Sequence, residues 1–137
     1  MTGGTTTPRY DTVSLLTDYG NRDEFVGVVK SVIRDIAPHV GVVDLTHEIA
    51  PFDVRGGSLA LARCIGYVPS GIVLAVVDPG VGTDRRPVAV TTMDEGRFLV
   101  GPDNGAAGFI SQLAIVTTTA CICLRYRFRA AQMRTSP

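Results

Sequence analysis

The spacing of apolar residues changes along the chain, and the changes mark its elements. Thr12 to Thr17 (TVSLLT) is a short β-prone run closed by the loop formers Asp18, Tyr19, Gly20 and Asn21. From Phe25 the period lengthens. Phe25, Val28, Val29, Val32, Ile33 and Ile36 recur at helical spacing, while Lys30, Ser31, Arg34 and Asp35 fill the opposite face. This predicts an amphipathic helix stopped by Pro38. Asn21 followed three residues later by Glu24 has the form of an N-cap and its reciprocal partner. Val40 to Leu45 is apolar and β-branched again, Thr46 to Pro51 is a polar loop, and a second helix is predicted from about Val54 to Ile65, ended by Gly66 and Pro69.

Ile72 to Val77 (IVLAVV) is continuous rather than alternating, the pattern of a strand covered on both faces. Val88 to Thr92 and Arg97 to Val100 predict two further strands around an Asp94-Glu95-Gly96 turn. Beyond Gly105, Ala106 to Val116 fits a helix packed on the sheet, and the alternating stretch Cys121 to Arg129 fits an edge strand. Strands alternating with helices predict an α/β fold with a parallel-containing sheet flanked by helices and right-handed crossovers.

Composition narrows the class. At 137 residues, 45% hydrophobic and 19% charged, the chain suits one globular domain. No apolar run approaches the ~20 residues that span a bilayer, so no membrane association is expected. Met1 to Pro8 (MTGGTTTP) lacks the basic start and apolar segment of a secretory signal and reads as a flexible leader, which makes the cytoplasm the expected location. The zero net charge hides an asymmetry. Residues 1–103 carry 9 basic and 13 acidic side chains, whereas 104–137 carry 4 basic and none acidic. An acidic excess over the patterned part argues against a nucleic-acid partner. Cys64, in an apolar helical stretch, is expected to act as a small buried hydrophobe. The remaining cysteines, Cys121 and Cys123, complete neither a disulfide framework nor a zinc pattern. With His39 and His47 at irregular spacing, no metal site is expected.

In an open parallel sheet the ligand crevice lies outside the carboxyl ends of the strands. Asp18, Asp44 (just before His47 and Glu48) and Asp78 stand at the predicted strand ends. Gathered on one rim, these carboxylates would suit a cationic ligand or sugar hydroxyls, although each alone is also explained as a turn or helix cap. Asp78-Pro79-Gly80-Val81-Gly82-Thr83 resembles the glycine-rich loop of Rossmann-type methyltransferases. It runs into Asp84-Arg85-Arg86-Pro87 and a strand rather than a helix, which leaves methyl transfer as a lesser reading.

Taken in order, Leu16-Thr17-Asp18-Tyr19-Gly20, Asp23-Glu24-Phe25-Val26-Gly27, Val43-Asp44-Leu45-Thr46-His47-Glu48-Ile49, Pro51-Phe52-Asp53-Val54, Val77 to Thr83 with Arg85, and Gly101-Pro102-Asp103-Asn104-Gly105 resemble the S-adenosylmethionine hydroxide adenosyltransferase family, a relative of the fluorinases and chlorinases. The likeness covers about residues 12–109. It implies hydrolysis of S-adenosylmethionine to adenosine and methionine by water or hydroxide attacking the ribose C5′, with no cofactor. By the same resemblance Asp18 holds the ribose hydroxyls, Phe52 lies beside the sugar and base, and Asp23 is near the same pocket. Asp78 and Arg85 correspond to two members of an Asp-Arg-His set that positions and activates water. The halogenase branch resembles this chain around Asp78 but carries a tyrosine there and a threonine at the position of Val81, so a halide nucleophile is disfavoured.

The family's histidine lies in a Phe-His-Gly-Arg-Asp segment followed by a C-terminal β-barrel domain, and neither matches this sequence. The expected organisation is therefore a leader over 1–10, an α/β S-adenosylmethionine-binding domain over 11–109, and an atypical tail over 110–137. That tail is either the product of a truncation or frameshift or part of a natural short form. The resemblance also implies a homotrimer. A non-catalytic fragment that binds an adenosyl ligand or a full-length homologue is the alternative to an active enzyme.

Overall fold

The computed structural model describes residues 10–92 and 96–104. Its elements are β1 (Thr12–Thr17), α1 (Phe25–Ile36), β2 (Gly41–Thr46), α2 (Val54–Cys64) running into a 3-10 turn (Ile65–Tyr67), β3 (Gly71–Val76), β4 (Pro87–Thr92) and β5 (Arg97–Pro102). Each lies within about two residues of its sequence-derived position. The expectations for Ala106 to Val116 and Cys121 to Arg129 lie outside the described residues.

One five-stranded sheet organises the domain, in the order β2-β1-β3-β5-β4. β1 pairs in parallel with β2 and β3, and β3 with β5, while β4 pairs antiparallel with β5 and is the edge strand among the described residues. The α/β expectation holds. The order matters for function, because the chain leaves β1 for β2 on one side and then returns to β3 on the other. The loops after β1 and β3 thus diverge at a topological switch point, where open α/β sheets bind ligands.

Leu16, Leu61, Val68, Val73, Val77 and Leu99 form the core on the α2 face. The helix sits close to the strand end: a Cβ on Gly57 would lie 2.9 Å from the Val77 side chain. Asp53 caps α2, its Oδ1 accepting from the Gly56 amide at 2.8 Å. In β3, Gly71, Val73 and the following Val77 are buried, whereas Ile72, Leu74 and Val76 on the opposite face are only half-buried. The expected two-sided burial is therefore greater on the α2 side, where α2 packs, although Ala75 on that face is itself only half-buried.

Helix α1 turns only one edge of its apolar face inward. Val26 is its buried residue, while Phe25, Val28 and Val32 are exposed and Ile36 is 70% exposed. The apolar arc of α1 is wider than its contact with the sheet, and periodicity alone does not say which edge of such an arc turns inward. The proposed Asn21 and Glu24 capping box is also absent. The helix begins at Phe25 with Glu24 at the cap position and no side-chain cap bond. Asp23 Oδ1 instead accepts from the Phe25 amide at 3.0 Å, and Asn21 donates to Glu48 Oε1 at 2.8 Å. Starting four residues beyond Asn21 puts the box out of register. No described helix is long and apolar enough to cross a membrane.

Candidate functional site

The loops after β1, β2 and β3 build one rim. Asp18, the first residue after β1, accepts a hydrogen bond at Oδ2 from the Phe52 amide at 2.7 Å, which ties the first loop to the second. Phe52 is held at φ +64°, and the residue is 61% exposed. For a bulky residue that conformation costs of order 1–3 kcal/mol, and such strain concentrates at ligand sites.

The third loop carries a buried ion pair. Asp78 has a side chain only 3% exposed, its Oδ1 accepts from the Gly80 amide at 3.0 Å, and its Oδ2 is paired with Arg85 Nη2. The arginine reaches back over a tight turn in which Thr83 bonds the Gly80 carbonyl through both its amide (3.1 Å) and its hydroxyl (2.6 Å). The turn is tight around Gly80, where a Cβ would come within 3.3 Å of both Arg85 Cδ and Thr83 Oγ1, so one of these side chains would have to give by a few tenths of an ångström. Behind the turn, Asn104 beyond the end of β5 donates to the Val77 carbonyl at 2.7 Å, and the Asp103 amide donates to the Arg86 carbonyl at 2.8 Å.

Tyr19 shows that these parts share one neighbourhood. Its phenol pKa is raised by burial and by the Asp18 charge and pulled the other way by Arg85, so Asp18 and the Asp78–Arg85 pair both lie within its electrostatic reach. Its ring packs edge-on against Phe25 with centroids 4.8 Å apart.

The predicted residues therefore have distinct placements. Asp18, Phe52, Asp78 and Arg85 lie on the loops that follow β1, β2 and β3. Asp23 is exposed at the start of α1, linked to this rim through Phe25 and Tyr19. Asp44 is not a rim carboxylate: it lies inside β2, where Oδ2 accepts from Lys30 Nζ at 2.5 Å and Oδ1 contacts His47 Nε2 at 3.1 Å. Burial alone would raise its pKa, but the Lys30 and His47 hydrogen bonds outweigh this and hold it below the usual carboxylate value. His39 is exposed, and Cys64 is half-buried with its thiol pKa pushed up by burial.

Sequence reasoning did not assign Thr17, Lys30 or Asn104 a role. His47 and Asn104 nonetheless fell within polar blocks that directly follow strands, a signal that pointed to them. Among the described residues no group of three or more His, Cys, Asp or Glu side chains is placed to hold a metal ion. A cavity of about 380 Å³ opens on the α2 face between Leu16, Leu45, Ile49, Ala60, Cys64 and Tyr67. It includes none of Asp18, Phe52, Asp78 and Arg85.

The strained Phe52 loop, the Asp18 carboxylate at the first strand end and the buried Asp78–Arg85 pair at the third lie at the switch point of an open α/β sheet, the place where sheets of this class bind their ligands. The sequence profile of the SAM hydroxide adenosyltransferase N-terminal domain matches residues 13–132, extending past Phe109, and the chain belongs to that family. It is 50% identical over 95 residues to an (R)-S-adenosyl-L-methionine hydrolase of Thermus thermophilus, covering 68% of this chain and 36% of the relative. A fluorinase of Actinoplanes sp. is more distant, at 32% identity over 79 residues, covering 57% of this chain and 26% of the fluorinase. A crystal structure of a conserved hypothetical protein, also from Thermus thermophilus, superposes with a TM-score of 0.66 at 45% identity, over 74% of this chain and 42% of that one. The chain thus spans about a third of the length of the curated hydrolase it matches.

Proposed function

We propose that this chain supplies the S-adenosylmethionine-binding α/β domain of an enzyme that hydrolyses its substrate to adenosine and L-methionine. The observation that carries the reading is the buried Asp78–Arg85 pair at the switch point, on the rim that also holds Asp18. Asp18 anchors the ribose hydroxyls, Phe52 covers the sugar and base, and Asp23 contributes at the edge of the same pocket. Asp78 orients a water toward C5′ while Arg85 keeps the carboxylate ionised. As the water oxygen bonds to C5′, the C5′–S bond breaks and its electron pair leaves on sulfur as the methionine thioether. The surplus proton departs through Asp78. The sulfonium charge disperses in the transition state, so orientation of one nucleophile in a site that excludes bulk water supplies much of the acceleration. A carboxylate at Asp78 repels halide, which favours water over halide as the nucleophile.

The reading includes a cytoplasmic homotrimer with no nucleic-acid partner, and light scattering of the purified protein tests the trimer. The reaction is tested by incubating the protein with S-adenosylmethionine and separating the products. Adenosine and methionine that disappear in Asp78→Ala support it. Adenosine binding without turnover supports a binding domain instead, and labelled methyl on an acceptor without free adenosine would overturn both.

A further inference from the structure

We propose that His47 is a positioning residue for the Asp18 loop, acting through a directional chain of hydrogen bonds that runs from Lys30 to the Tyr19 amide. It deepens the proposed function, since it rests on Asp18 as the ribose anchor. His47 is only 3% exposed, and Thr17 at the end of β1 is fully buried. Lys30 donates to Asp44, whose carboxylate has acceptors only. The His47 Nε2 that faces it at 3.1 Å must therefore carry a proton.

In the neutral ring this leaves Nδ1 as an acceptor, and the Thr17 hydroxyl 2.8 Å away donates to it. With its proton so committed, Thr17 Oγ1 accepts from the Tyr19 amide at 3.2 Å. The His47 backbone adds a second tie, because its carbonyl accepts from the Gly20 amide at 2.7 Å. Asp18 is thereby bracketed. The residue before it and the two after it are all fixed by His47, and Gly20 at φ +74° permits the return of the chain. The opposite tautomer would set a lone pair against the Asp44 carboxylate and turn the Thr17 hydroxyl away from the ring.

The rival reading is a histidine that merely fills a buried space with its polar atoms satisfied. Two variants separate these ideas. His47→Asn keeps an acceptor near the Nδ1 position for Thr17 but loses the reach to Asp44, whereas His47→Gln keeps a donor toward Asp44 but loses the acceptor for Thr17. Adenosine affinity, measured by calorimetry, is expected to stay within about twofold in the Asn variant and to fall about tenfold in the Gln variant, the loss of roughly one hydrogen bond. Tyr19 amide exchange in the ligand-free protein should quicken in the Gln variant alone, and long-range proton–nitrogen spectra of the wild type should show the neutral Nε2–H ring.

Equal exchange in the two variants, losses that simply follow their melting temperatures, or an Nδ1–H ring would overturn the proposal. If the wild type binds no adenosine, the ribose-anchor reading fails while exchange and tautomer still decide the hydrogen-bond chain. Should either variant fail to fold, Thr17→Ser and Thr17→Val read the same link. Serine should restore wild-type exchange and valine should not, and identical behaviour of the two would overturn the proposal.

Discussion

Replacing Arg85 with glutamine strands the Asp78 carboxylate in the interior. With the Asp78 side chain 3% exposed, only the Gly80 amide at 3.0 Å would remain as a described partner. Breaking a fully buried pair costs about 3–5 kcal/mol because one charge is left uncompensated. Here the arginine is 26% exposed, so water can follow into the gap, and solvent screening lowers the expectation to roughly 1–3 kcal/mol. The stranded carboxyl should also titrate upward, since burial without a counter-charge favours the neutral acid.

The sign of the pH effect follows from linkage. An aspartate whose folded pKa lies above its unfolded value of about 3.9 costs nothing when both states are protonated. Its cost grows as pH rises from the unfolded value toward the folded one and is complete above the latter. Urea denaturation of Arg85→Gln and wild type from pH 4 to pH 8 should therefore show a stability gap that widens with pH. The Asp78→Asn, Arg85→Gln double variant, which buries no charge, should recover much of the loss without recovering hydrolysis. A gap below about 0.5 kcal/mol, the size of an ordinary surface change, or one independent of pH, would refute the argument.

Other consequences follow from the same geometry. Gly101→Ala would drive a Cβ into the Ala75 carbonyl of the neighbouring strand, backbone against backbone, so β5 must shift from β3. Thermal melting should show a loss of about 1–3 kcal/mol or more, and an unchanged midpoint would show that the two strands are further apart than described. For Asp44 the folded pKa is lowered, so its contribution is present above the unfolded value near 4 and lost as pH falls through the folded one. Lys30→Met should lower stability at neutral pH by a small, salt-sensitive amount and converge with wild type in acid, as melting curves between pH 2 and pH 7 would reveal. A difference that persisted at the acid end would place the lysine's contribution elsewhere.

The local elements of this protein were legible because each depends on nearby residues. The β-branched runs at Val42 to Leu45 and Ile72 to Val76, the helical spacing through Val29 and Ile33, and the stops at Pro38 and Gly66 all act within a few positions. The ordered blocks likewise marked Asp18, Phe52, Asp78 and Arg85 as candidate chemistry. Tertiary structure decided what depends on distant partners. Strand order made the β1 and β3 ends a switch point and set β4 antiparallel against β5. The turning of α1 exposed Val28 and Val32, two residues of its apolar face, and brought Lys30 to Asp44. That encounter took Asp44 from the rim and, through His47, tied it to Thr17. The reason is physical: periodicity defines an apolar arc or a strand face, but only pairing and packing across the sheet determine which edge turns inward and which polar atoms meet.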